Sequence, residues 1–200
     1  HLGVYSFYGN KVLTTGEGGM VVTNDTVLRD RLRLYRGQGQ SPNRRYWHEV
    51  VGYNYRMTEL SAAIGVAQLE HLDDMLATRR HLLRRYHEHF VDLGIQIQQP
   101  NPGTSVAPWV AVGLLPKGPA YPDDRDALMT ALDQAGIESR PVFPCVHQMP
   151  PYTRYVRTGQ TFPVAEDISR RGIILPLFSQ MTGADVDRVA ETLAALRGSR

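Results

Sequence analysis

The strongest constraint on this chain lies in residues 4–23, where two β-like runs bracket a glycine-dense turn that carries one lysine. Val4, Tyr5 and Phe7 belong to the first run and Met20 to Thr23 form the second; Gly9, Asn10, Lys11, Thr14, Thr15, Gly16, Gly18 and Gly19 lie between them. β-branched and aromatic residues on both sides of such a turn predict a hairpin. Whatever else the chain does, it must present Lys11 at the end of two extended segments.

That lysine stands out because the chain otherwise makes its positive charge with arginine. Of 22 basic residues, only Lys11 and Lys117 are lysines. Arginine stays protonated in proteins, whereas a lysine amine loses its proton once it is desolvated or placed near another cation. A lysine held where arginine is the habit points to amine chemistry, against the ordinary alternative of a solvated side chain in a hairpin loop. Threonine hydroxyls and glycine N–H groups at positions 14–19 approach an anion closely, and Ser6 adds another hydroxyl. An amine beside a phosphate cradle is what a pyridoxal phosphate Schiff base requires.

Composition narrows the remaining classes. Two hundred residues, 42% of them apolar, suffice for one ordinary domain or two small ones. A net charge of +2 gives no general attraction to nucleic acid or membranes. The single cysteine, Cys145, excludes an internal disulfide framework and fits a reducing compartment. No apolar run approaches the roughly 20 residues of a membrane span, and no charged-then-apolar leader opens the chain. The expectation is a soluble, cytoplasmic protein. His1-Leu2-Gly3 runs straight into the first strand without an initiator methionine, so a preceding piece is expected.

Along the chain, Asn24-Asp25-Thr26 supplies cap-type residues for a helix over about 26–35, which Gly37 and Gly39 stop. The polar stretch Arg36 to Trp47 reads as a loop; Arg44, Arg45, Tyr46 and Trp47 also fit a nucleic-acid contact, although a solvated or subunit-facing loop is the favoured reading. Thr58 caps a long helical pattern through Leu60, Ala63, Ile64, Ala67, Leu69 and Leu72 that continues from Met75 to Phe90. The small residues Ser61, Ala62, Ala63, Gly65 and Ala67 predict a buried, close-packed first half. Arg79, Arg80, Arg84, Arg85 and Glu88 predict a solvated face for the second. His87 and His89 lie two apart, on different helix faces, so no metal pair is expected.

Beyond Gly94, strands are expected near Ile95–Ile97 and Trp109–Leu115. Asp123-Asp124 can cap a helix ending at Gly136. Ile137 to Phe143 reads as extended, because Pro141 and Pro144 forbid a helix. His147 and Tyr152 sit in a proline-rigid loop, where function concentrates. A short helix from Phe162-Pro163, an apolar segment Ile173–Leu175 and a capping box at Thr182–Asp185 complete the chain. Helices alternating with short strands indicate α/β architecture, with a module boundary near Asp73-Asp74.

Three ordered motifs resemble the DegT/DnrJ/EryC1/StrS sugar aminotransferases. They are Ser6-Phe7 with Lys11 and Thr14-Thr15-Gly16-Glu17-Gly18-Gly19-Met20, then Gly52-Tyr53-Asn54-Tyr55-Arg56-Met57, then Arg140-Pro141 through His147 and Tyr152. The resemblance implies the type I, aspartate aminotransferase fold. Residues 1–74 would be the C-terminal part of its large, pyridoxal phosphate-binding domain, and 75–200 its small C-terminal α/β domain. It further implies that Lys11 carries the cofactor and moves the proton, that Ser6 holds the cofactor's phosphate, and that Asn54 reaches the phosphate of a partner subunit's cofactor in a homodimer with shared active sites. His147, Tyr152 and Arg56 would line the nucleotide-sugar pocket.

Glutamate would be the amino donor, and the product an amino sugar for polysaccharide or glycoside biosynthesis. Tyr8-Gly9-Asn10, Gly37-Gln38-Gly39 and Tyr46-Trp47-His48 are similar to members that aminate GDP-4-keto-6-deoxymannose. The family's N-terminal phosphate turn, ring-stacking aromatic and ring-nitrogen aspartate lie outside these residues, so the resemblance covers the family's C-terminal portion. A non-catalytic fragment or partner subunit, and amination at C3 of the sugar, remain alternatives. Lys11 argues against a related dehydratase, which carries histidine at that position.

Overall fold

The computed structural model describes residues 1–118, 120–121 and 125–198. The chain divides into two compact units, His1–Asp74 and Met75–Arg200. Asp123 and Asp124, expected to cap a helix, lie outside the described residues.

In the first unit, β1 (Gly3–Ser6) and β2 (Gly19–Val22) pair antiparallel, in a register running from Gly3 opposite Val22 to Ser6 opposite Gly19. α1 (Thr26–Arg36) starts where the Asp25 carboxylate accepts the Val27 and Leu28 N–H groups, and it ends with Arg33 and Arg36 in its last turn. Acceptor at one end and cations at the other match the orphan amides and the helix dipole.

The single long helix expected from Thr58 onward is two helices. Thr58 caps α2 (Glu59–Leu69) by accepting the Ser61 N–H, and α3 (Leu72–Leu93) follows after a break. At the break, His71 N–H bonds Gln68 O at 3.1 Å, an i to i−3 closure that tightens the last turn. No glycine or proline marks it. The buried first half is also corrected. Gly65 is the one buried residue of α2, while Leu60, Ile64, Val66 and Leu69 are all at least 50% exposed. Apolar residues recur on every side of this helix, and the contact that buries Gly65 is with the lysine loop.

The second unit has a conventional core. β3 (Gln96–Ile97), β4 (Ala111–Leu114), β5 (Arg140–Pro141) and β6 (Gly172–Leu175) form a sheet in the order β3-β4-β6-β5, every pairing antiparallel. The alternation of helices and strands is therefore present, but the sheet is not the parallel one such alternation usually builds. β6 is buried along its whole length. Against the sheet lie Leu82, Tyr86 and Phe90 of α3, Leu128 and Leu132 of α4 (Arg125–Gln134), and Val186, Val189 and Leu193 of α6 (Gly183–Leu196). α6 opens with the expected capping box, Thr182 and Asp185 bonding each other's backbone N–H. α5 (Pro163–Arg171) runs directly into β6, with proline at its first position, where the missing N–H costs nothing.

One arginine departs from the solvated face expected of α3. Arg79 is 6% exposed and donates to Trp109 O at 3.1 Å and Leu177 O at 3.0 Å, so carbonyls replace water. Burial holds its pKa below the ordinary value. Arg85 and His89 both meet Asp187 of α6, at 2.6 and 2.7 Å. Among the described residues no helix is long and apolar enough to cross a membrane.

Two outcomes test this fold. Leu128→Ala empties a fully buried site and should lower unfolding free energy by about 2–5 kcal/mol, read from a urea midpoint. Hydrogen bonds from Arg85, then from His89, hold the Asp187 carboxyl down at about 2. A depressed folded-state pKa adds stability above the ordinary value of about 3.9 that is lost as pH falls through the folded value. Asp187→Asn should therefore lose less stability than the parent between pH 4 and pH 2, measured by urea midpoints across that window.

Candidate active site

The lysine loop closes on itself through its own threonines. Phe7 N–H donates to Gly18 O at 2.9 Å, extending the hairpin ladder past β1. Phe7 O then accepts both the Thr15 N–H and the Thr14 hydroxyl, each at 2.9 Å. The Thr15 hydroxyl donates to Glu17 O at 2.7 Å, and Thr14 Oγ1 accepts Gly16 N–H at 2.9 Å. Lys11 N–H bonds Tyr8 O at 2.9 Å, so the lysine sits on a tight turn within that frame.

α2 holds the loop from below. Gln68 Oε1 accepts the Thr14 N–H at 2.9 Å. Thr15 is 4% exposed, and a Cβ at Gly65 would stand 2.9 Å from its Cγ2. Only a residue without a side chain lets the helix approach so closely. Thr14 and Thr15, expected as part of an anion cradle, thus spend their hydroxyl protons on backbone carbonyls. Their role is to build the loop. Ser6, by contrast, is exposed at the end of β1, and its Oγ accepts Tyr8 N–H at 3.4 Å, which leaves its own proton to donate outward.

The second motif is seated against the first. Gly18 adopts φ +148°, and a Cβ there would lie 2.6 Å from Thr15 Oγ1 and 2.8 Å from Met57 Cε. Met57, the last residue of that motif, therefore packs on the lysine loop. Upstream, Tyr53 N–H bonds Tyr35 O at 2.7 Å and Tyr55 N–H bonds Arg36 O at 3.1 Å, while Asn54 pairs as an antiparallel bridge with Gly37. The rings of Tyr53 and Tyr55 stack with centroids 5.0 Å apart. The polar loop before them is tied down: His48 Nδ1 lies 2.8 Å from Gln38 O, and the Arg44 guanidinium sits 4.2 Å over the Trp47 ring.

A concave surface of about 940 Å³ opens between β2, α1 and residues 53–61. Its wall includes Arg29, Arg33, Arg36 and Arg56, with Glu17 as the carboxylate among them. Lys11, Ser6 and Asn54 do not line it.

In the second unit, His147 and Tyr152 lie at two short 3-10 turns, Val146–Gln148 and Thr153–Tyr155. The expected irregular loop is thus locally helical, with Tyr152 N–H bonding Met149 O at 2.9 Å. Tyr152 is exposed. His147 is not: its Nε2 meets Glu166 Oε1 at 2.9 Å, and its ring lies 4.4 Å from that of Phe162. Glu166 is a site residue that the motifs do not mark; its one local signal is the spacing of four from Phe162, the residue that precedes α5.

The structure therefore brings Lys11 and Ser6 together on one hairpin, packs the segment bearing Asn54 and Arg56 on the same loop through Met57, and pairs His147 with Glu166 near Tyr152. Residues 1–194 match the DegT/DnrJ/EryC1/StrS aminotransferase family. The chain belongs to this family. GDP-perosamine synthase of Caulobacter vibrioides is 43% identical over 189 residues, 94% of this chain and 50% of that protein. GDP-perosamine synthase of Escherichia coli O157:H7 is 41% identical over 192 residues, 96% of this chain and 50% of that protein. The X-ray crystal structure of S. venezuelae DesV in complex with a ketimine intermediate superposes with a TM-score of 0.84 at 30% identity, covering 97% of this chain and 51% of that one. The chain spans about half the length of the curated relatives it matches.

Two glycine substitutions separate strain from collision in the loop. Gly16 has φ +79° and open space around it, whereas Gly18 has both a positive φ and two contacts below 3.0 Å. Gly16→Ala should cost about 1–2 kcal/mol of left-handed strain, and Gly18→Ala distinctly more, compared by denaturant midpoints of the two variants.

Proposed function

We propose that this chain carries the amine and much of the substrate surface of a pyridoxal phosphate-dependent aminotransferase acting on a nucleotide-linked 4-keto-6-deoxy sugar. GDP-4-keto-6-deoxymannose is the favoured acceptor and glutamate the donor. The observation that carries this reading is Lys11, the one lysine of its unit, mounted on a closed loop in a chain whose relatives are named GDP-perosamine synthase.

The residues present fit the cofactor. An amine and an outward-donating hydroxyl stand on the same hairpin, the pair of groups that an aldehyde and a phosphate on one ligand require. Lys11 and Ser6 would hold those two ends, and Asn54 of a second copy would add to the phosphate. Pyridoxal phosphate, when bound, supplies an electron sink for the carbon that gains or loses nitrogen. Lys11 Nζ takes the proton from the donor's amine-bearing carbon and returns one to C4 of the sugar, work that an arginine cannot do because it does not release its proton.

Arg56 in the first unit and, separately, His147 and Tyr152 in the second are the proposed contacts to the sugar nucleotide. The arginine-lined concavity that includes Arg56 suits a diphosphate, whose oxygens accept from guanidinium forks. Exposed apolar side chains on the same unit, among them Val21, Val22, Tyr35, Tyr53 and Tyr55, support an association surface of the kind a shared-site homodimer needs. The expected compartment is the cytoplasm, where a nucleotide-sugar pathway keeps its soluble intermediates.

Borohydride trapping tests the assignment. Protein mixed with pyridoxal phosphate and reduced should carry a permanent pyridoxyl group on Lys11 and little on Lys117, located by peptide mass. Lys11→Arg should lose that adduct and reduce release of 2-oxoglutarate from glutamate in the presence of GDP-4-keto-6-deoxymannose by at least about 10³-fold. Equal labelling of both lysines in the parent would sink the proposal.

A further inference from the structure

One turn of α5 grips the His147 ring from two directions. Phe162, the residue that precedes the helix, meets the ring at 4.4 Å with an interplanar angle of 34°. Glu166, four residues on, places Oε1 2.9 Å from Nε2. The next acid is committed elsewhere: Asp167 pairs with Arg170 at 2.8 Å and Arg171 at 2.5 Å. Glu166 is therefore the carboxylate left for the histidine.

The clasp is firmly mounted. The Ser169 hydroxyl donates to Phe143 O at 3.2 Å, Arg125 Nη1 donates to Ser169 O at 2.6 Å, and Val142 N–H bonds Gly172 O at 3.1 Å. The first and third of these bonds tie the C-terminal end of α5 to the segment that leads into His147, and the second ties it to the start of α4. The histidine side chain remains 19% exposed, and among the described residues Nδ1 has no hydrogen-bond partner.

A carboxylate only accepts hydrogen bonds, so the contact at Nε2 requires the hydrogen to be there. In the neutral ring the lone pair then falls on Nδ1. We infer that Glu166 is a positioning residue that fixes His147 with its proton on Nε2, so that Nδ1 accepts a hydrogen bond from a hydroxyl of the nucleotide-linked sugar. This rests on the reading of His147 as a substrate-facing residue. It also selects among the parts of such a ligand: a hydroxyl can donate to the Nδ1 lone pair, whereas a phosphate oxygen, itself an acceptor, is repelled by it.

Nitrogen-15 NMR of the histidine rings at pH 8 tests this on the protein itself, with GDP-mannose and GDP as probes. In the parent, His147 should show a protonated Nε2 with a slowly exchanging proton and an unprotonated Nδ1. Glu166→Ala should lose the slow exchange and average the two nitrogens, and Glu166→Gln, which keeps an oxygen acceptor, should restore the parent pattern. GDP-mannose should shift the Nδ1 resonance in the parent but not in Glu166→Ala, and GDP should shift it in neither. A pair that merely pinned the backbone would give the tautomer without the ligand shift.

A proton on Nδ1, a doubly protonated ring at pH 8, or an unchanged spectrum in Glu166→Ala would overturn the inference. So would an Nδ1 resonance that stays in place while GDP-mannose moves others. If GDP-mannose moves no resonance, the substrate-facing role of His147 falls, and the recognition role of the pair with it. Failure of the Lys11 adduct with the Nδ1 shift intact would remove the transferase chemistry and leave this contact standing.

Discussion

Burial of Thr15 beneath Gly65 is the contact on which the lysine-bearing unit depends. It leaves the threonine 4% exposed and sets the floor of a loop closed further by bonds at Phe7, Thr14 and Gly18. A side chain at position 65 would lift α2 away and remove the Gln68 bond to Thr14. Fixing these backbone groups matters for amine chemistry, because a catalytic lysine on a floppy loop loses the positioning that makes it effective.

The same contact explains an unusual helix. α2 is apolar on every side, yet it buries only the glycine that faces the loop. Its other faces are exposed, as are both strands of the hairpin. The second unit differs: its core is closed around α3, α4, α6 and the buried strand β6, and its two short turns carry His147 and Tyr152 on a finished scaffold.

Much of this was legible in the sequence because the signals were local. Asp25, Thr58 and the Thr182–Asp185 box named the starts of three helices, since a cap needs only the residues beside it. The hairpin around Lys11 was legible from strand and turn residues alone. The break at Glu70-His71 was not, because it carries no breaker and follows from packing on either side. The threonines at 14 and 15 were read as anion ligands, since hydroxyl-rich turns serve ligands and backbones alike and only three-dimensional partners tell them apart. Arg79 was read as solvated for a similar reason: the carbonyls that receive it come from residues 109 and 177, far along the chain. Glu166 escaped notice because its partner lies 19 residues away.

The family assignment, the closed loop and the lone lysine converge on one structural expectation. A crystal structure of the protein grown with pyridoxal phosphate measures it most directly. Continuous electron density from Lys11 Nζ to the cofactor, with a phosphate oxygen within hydrogen-bonding distance of Ser6 Oγ, is the expected result. A cofactor bound away from the hairpin, or a Lys11 side chain ordered against protein with no density joining it to the ligand, would contradict it.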